Sequence, residues 1–94
     1  MTTTIVVGKF PLGRILITPG VQSALSRDET IEGLIRHLTG DWGDLDEHDW
    51  TENEAALKRG RPLRSRYATP AGTTYWIITE YDRSITTILL PEEN

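Results

Sequence analysis

Apolar positions recur along this 94-residue chain with two different periods, and the change of period divides it into elements. Thr3 to Val7 is β-branched throughout and predicts a short strand. Gly8 and the run Phe10-Pro11-Leu12-Gly13 interrupt it. Arg14 to Thr18 predicts a second strand, closed by Pro19-Gly20 as a turn signal. Val21, Ala24 and Leu25 then follow at the spacing of one or two helical turns.

The clearest helical period spans residues 29–39, where Ile31, Leu34, Ile35 and Leu38 form one apolar stripe. Asp28 or Thr30 can cap its start, Glu29 and Glu32 lie in its first turn, and Arg36 and His37 lie in its last. Gly40 fits the residue just past its end, and Gly33 within it allows a close approach. A second helix is predicted over 47–59, with Asp46 as N-cap and Asp49 at the third helical position. Leu45 and Trp50 form a hydrophobic staple across that cap. Asp44 with Glu47 offers a competing cap one register earlier. Gly60 and Pro62 end the helix.

Beyond Pro62 the period is two. Leu63, Ser65 and Tyr67 alternate with Arg64, Arg66 and Ala68, and Pro70-Ala71-Gly72 makes a hairpin turn. Thr73–Tyr81 and Ser84–Leu90 are two further strands about Asp82-Arg83. With that loop, Tyr75, Ile77 and Thr79 face Leu90, Ile88 and Thr86, while Trp76, Ile78 and Glu80 face Leu89, Thr87 and Ile85. The expected architecture is one α+β domain over 1–94. It is a mainly antiparallel sheet of about five strands packed on two helices, in the order β-β-α-α-β-β-β.

Three stretches carry a resemblance: FPLGRILITPG at 10–20, LIRHLTGDWGDLDEHDW at 34–50 and YWIITEYDRSITTILLPEE at 75–93. Together they resemble a family of small bacterial plasmid-related proteins found on plasmids, phages and integrated elements. The resemblance covers most of the chain and implies mobile-element biology, in an accessory or defence-counteracting role. Its sharpest form is an anti-restriction or anti-CRISPR inhibitor. It implies no catalytic residue.

Charge changes the picture because it is segregated. The net charge is −4, and residues 28–54 hold ten of the fourteen acids beside a single base, Arg36. Residues 58–66 hold half of the ten bases and no acid. Clustered carboxylates on helices can imitate phosphate and enter a partner's basic groove. Asp41, Trp42, Asp44, Asp46, Glu47, Asp49 and Trp50 are therefore the expected partner-binding surface, with the two tryptophans as anchors. The same residues also read as helix caps, a solvated face and core aromatics.

The alternative is DNA binding through Lys58, Arg59, Arg61, Arg64 and Arg66. Arg59-Gly60-Arg61-Pro62 matches the core of a minor-groove hook, which lays two arginines along an extended backbone. The competing reading is a helix end with cations on its dipole, a Gly cap and a Pro-led strand. A second alternative, a small metal-dependent enzyme, would draw on His37, Asp41, Asp44, Asp46, His48 and Asp49. Their spacing matches neither a calcium loop nor HExxH, so no metal or other cofactor is expected.

There is no cysteine, no GxSxG and no phosphate-binding glycine loop. Glu80-Tyr81-Asp82-Arg83 reads as turn chemistry, with Asp82 on local backbone and Arg83 exposed. A non-enzymatic protein is expected. No export signal or membrane-length apolar run is present, so the expected compartment is the cytoplasm, with no membrane partner. Homodimerisation is expected through the sheet face bearing Trp76, Ile78, Ile85 and Leu89, because two helices cover only the other face.

Overall fold

A computed structural model describes residues 8–94, and the strand expected over Thr3–Val7 falls outside them. Among the described residues the chain forms β1 (Arg14–Ile17), α1 (Pro19–Ala24), α2 (Arg27–Leu38), α3 (Glu47–Arg59), β2 (Leu63–Ala68), β3 (Thr74–Thr79) and β4 (Ile85–Leu89). A single 3₁₀ turn follows at Pro91–Glu93. The class is α+β, as the periods predict. In detail it differs, with three α-helices and a four-stranded mixed sheet in the order β1-β4-β3-β2. β1 runs parallel to β4, pairing Ile15 with Thr86 and Ile17 with Ile88, while the other two pairings are antiparallel. The parallel pair arises because all three helices intervene before the chain returns.

The β3–β4 register is the expected one, with Trp76 opposite Leu89, Ile77 opposite Ile88 and Thr79 opposite Thr86. Period two fixes it, since a slip of one residue would send every buried side chain to solvent. At the connecting turn Arg83 takes a left-handed φ of 61°, and its N–H donates to Glu80 O at 2.9 Å. Asp82 accepts from the Ser84 N–H and hydroxyl, as expected of turn chemistry. Arg83 is not the free surface residue expected. Its guanidinium donates to Arg61 O, Glu80 O and Ala56 O and lies 5.8 Å from the centre of the Phe10 ring. It thereby closes the carbonyl end of α3 onto the hairpin.

Helix α3 has the predicted bounds. Asp46 accepts from Asp49 N at 2.8 Å, and Gly60 ends the helix at φ +66°. Helix α2 starts earlier than predicted, because Ser26 and Glu29 form a reciprocal capping box in place of a cap at Asp28 or Thr30. Its buried face is also rotated. Thr30, Gly33 and His37 face the sheet, while Ile31 and Ile35 of the expected stripe are 43% and 40% exposed. Gly33 is needed there, since a Cβ at that position would lie 2.6 Å from the Tyr75 hydroxyl oxygen. Pro19-Gly20 opens α1 rather than closing a turn, with Thr18 as its N-cap.

All three helices contact the face made by Leu63, Ser65, Tyr67, Tyr75, Ile77, Thr79, Thr86 and Ile88, each of which is buried. Two apolar clusters form there. Val21, Leu25, Tyr67, Tyr75, Ile77 and Ile88 make one, and Phe10, Trp42, Ala56 and Leu63 make the other. Glu93 ties the C-terminus to the start of α1. It accepts from the Thr18 hydroxyl at 2.6 Å, Leu90 N at 2.8 Å and Gly20 N at 3.1 Å, and these bonds, the Thr18 one foremost, hold its carboxyl below the ordinary range. No helix among the described residues is long and apolar enough to cross a membrane.

Candidate functional site

The acidic residues of 41–54 divide into structural and free carboxylates. Asp41 accepts from Arg36 Nε at 2.8 Å, the only ion pair among the described residues, and this bond draws its carboxyl below the usual range. Asp46 is spent on the α3 cap, and Glu54 accepts from the Trp42 indole N–H at 2.9 Å. Asp44, Glu47, Asp49 and Glu52 are exposed, and no cation among the described residues lies within ion-pair distance of them. These carboxylates form no ion pair among the described residues, while Arg64 shares a cleft with Asp49 and Glu52 and Arg66 donates to Asp44 O.

Trp42 departs from its expected place. It is fully buried, lies 6.2 Å from Phe10 in a stacked arrangement, and meets the His37 ring edge-on at 5.6 Å. A side chain with no exposed area cannot anchor a partner, so the acidic surface keeps Trp50 alone. Trp50 is half-buried and, like Leu45 and Leu57, packs against the cluster of Phe10, Trp42, Ala56 and Leu63. A cleft of about 190 Å³ between α3 and β2 is lined in part by Leu45, Asp49, Glu52, Arg64 and Ile78.

The basic segment does not have the shape of a minor-groove hook. Lys58 and Arg59 lie in the last turn of α3, Gly60 is left-handed, and Arg61 N donates back to Ala56 O at 3.1 Å. This is a helix cap, and it denies Arg59 and Arg61 the extended backbone that groove insertion needs. Arg64 and Arg66 project from β2 onto the open face of the sheet. Their guanidinium carbons lie 5.3 and 5.5 Å from the centre of the Trp76 ring. On that same face Ile78 and Ile85 are half-buried, and Leu89 is buried and offers no surface to a second copy.

The metal candidates do not assemble. No group of three or more His, Asp or Glu side chains able to hold an ion occurs among the described residues. His37 instead carries the polar centre of the core. Its Nδ1 is 2.5 Å from Ser65 Oγ, its Nε2 is 2.9 Å from Thr79 Oγ1, and Thr79 Oγ1 is 2.8 Å from Thr86 Oγ1. Thr86 donates its one hydroxyl proton to Leu12 O at 2.7 Å. Each hydroxyl has a single proton, so the chain of donors runs one way. Thr79 must donate to Thr86 and accept from His37 Nε2–H, and Ser65 must donate to Nδ1. The neutral Nε2–H tautomer follows. Burial, and secondarily the Arg83 charge, push the His37 pKa down to about 3. No member of this chain that is itself buried can meet a substrate, so it specifies packing. Its signal in the sequence was small: the polar residues Ser65, Thr79 and Thr86 on inward-facing strand positions.

Comparison of the chain with protein-family models, with curated proteins and with solved structures finds no significant match.

Proposed function

We propose that this chain is a non-enzymatic binding protein that engages a basic protein partner through the acidic surface around the start of α3. The observation that carries the reading is that Asp44, Glu47, Asp49 and Glu52 stay exposed without an ion-pair partner among the described residues. Left unpaired, they project a coherent negative field around the half-buried Trp50 and Leu45, and such a field steers association with a positive groove. The setting comes from the resemblance to plasmid-related proteins. An accessory protein of a mobile element that blocks the nucleic-acid groove of a host restriction or CRISPR-type complex fits that setting.

The test is affinity capture from the natural host with wild type and with a variant carrying D44N, D46N, E47Q and D49N. Asn is as good a helix cap as Asp, so folding is retained, and thermal melting checks this. A partner held by wild type at low salt and lost by the variant is expected. Equal recovery of the same partner by both would overturn the reading.

A further inference from the structure

The sheet's second face differs from the rest of this acidic molecule. Outward strand positions alternate with the buried ones, and the register arranges them in rows. Arg64 stands opposite Ile78, then Thr87, then Leu16; Arg66 stands opposite Trp76, then Leu89; Arg14 stands opposite Ile85. Within the four strands this face bears three arginines and no carboxylate, in a chain of net charge −4; the next outward position past β3 is Glu80, opposite Ile85 in the row of Arg14. No described helix packs on it. At its centre the half-buried Trp76 has two guanidinium groups over its ring. Neither Arg64 nor Arg66 has a carboxylate within ion-pair distance, and Arg66 is fixed in place by donating to Asp44 O at 2.5 Å.

We propose that this open face binds single-stranded nucleic acid: a base displaces the guanidinium groups from over the Trp76 ring and stacks there, and Arg64, Arg66 and Arg14 contact phosphates. An aromatic ring flanked by cations on a shallow sheet supplies the two components such binding needs: a π-face that accepts any base, and positive charge that tracks the backbone. Strand geometry puts Arg14 roughly 16 Å from Trp76, which suits a short stretch of extended strand. A duplex is a poorer fit, because the face projects no helix or ribbon to enter a groove and a paired base cannot stack on the ring. A second copy is also a poorer fit, since a two-fold axis would bring two sets of arginines together. The margins set a boundary. Glu80 stands one residue beyond β3, and Asp49 and Glu52 line the cleft beside Arg64, so the path runs across the sheet away from α3. This surface adjoins the acidic one at the cleft shared by Arg64, Asp49 and Glu52, but the two tests use different variants and either reading can fail without the other.

The test is titration of fluorescein-labelled twelve-residue oligo-dT and oligo-U, following anisotropy together with tryptophan fluorescence, at several salt concentrations. Saturable binding with tryptophan quenching is expected. A log–log salt slope near −2 follows from three phosphate contacts at about −0.7 each, and the slope falls to about −0.7 in R64Q/R66Q. W76A weakens binding by about tenfold or more, and W76F, which keeps a stacking ring and guards against a folding artefact, weakens it less. K58Q/R59Q, at the end of α3, leaves it unchanged. No binding at 20 mM salt overturns the proposal, as does loss of binding in K58Q/R59Q with W76A unaffected. Equal affinity for polyglutamate overturns it in favour of an acidic peptide. A wild-type dimer that W76A converts to monomer, seen by sedimentation, overturns it in favour of a second copy.

Discussion

The two edges of the sheet are finished in opposite ways. At the β2 edge the backbone of Arg64 is held twice by the Asn53 side chain, which donates to Arg64 O and accepts from Arg64 N. One step along, Arg66 N donates to Trp42 O and Asp44 N donates to Arg66 O at 2.7 Å, so residues 42–44 cover the strand. The Tyr67 hydroxyl reaches Asp41 O at 2.5 Å, and its burial raises its pKa. The β1 edge has none of this among the described residues. Every residue of β1 is exposed, and Ile15 and Ile17 face Ile31 and Leu34 of α2 across an apolar groove of about 590 Å³. Five of the six exposed large apolar side chains lie on β1 or α2. Among the described residues, the sealed edge concentrates cooperative packing on the β2 side, and β1 is the strand whose loss removes the fewest covered contacts.

Substitutions that open the sealed edge should dominate the stability of the protein. W42A removes a fully buried indole that packs on both Phe10 and His37 and also strips Glu54 of its donor. A loss of about 3–5 kcal/mol in urea unfolding is expected. Acid should act on the same side through His37. In the unfolded chain its pKa is the ordinary 6.5, and in the fold it is about 3. Between those values the unfolded state holds a proton that the native state lacks, so stability rises with pH across the window and is flat above it. The expected slope from this group is about 1.4 kcal/mol per pH unit. The stability difference between wild type and H37Q, measured from pH 7 down to pH 4, should shift by that slope; a constant difference would remove the assignment.

N53A leaves the N–H and C=O of Arg64 without their partners and should cost about 2 kcal/mol, with faster amide exchange at 64 and 66. At the open edge the expectation reverses. I35K, on the exposed side of α2, should change stability by no more than about 0.5 kcal/mol. A loss there as large as that of N53A would mean that the two edges are equally sealed. The tautomer of His37 offers a finer check, since ¹⁵N shifts should place the proton on Nε2 with Nδ1 as acceptor.

The candidate surfaces were legible in unequal measure. The acidic cluster is a matter of composition within 28–54, so it could be read directly, but the burial of Trp42 depends on Phe10 and His37 from two other segments. The clamp on Trp76 was half visible. Alternation places Arg64 and Arg66 on one side of their strand and Trp76 on one side of its own, yet only the β2–β3 register joins them.

What the sequence determined by itself is the local order. The bounds of α3, its Asp46 cap, the glycine ends at 40 and 60 and the register of the last hairpin all follow from interactions within a few residues. The Ser26–Glu29 capping box is equally local and stands in the letters as Ser-x-x-Glu. Tertiary structure decided which way α2 faces and where β1 pairs. The apolar stripe of α2 is the more hydrophobic choice, but the inner strand positions it meets include Ser65, Thr79 and Thr86, and His37 satisfies their hydroxyls while Gly33 admits Tyr75. Pairing β1 with β4 joins residues about seventy apart in sequence. No local pattern specifies that choice, because it depends on a free sheet edge that exists only once the hairpins and helices have assembled.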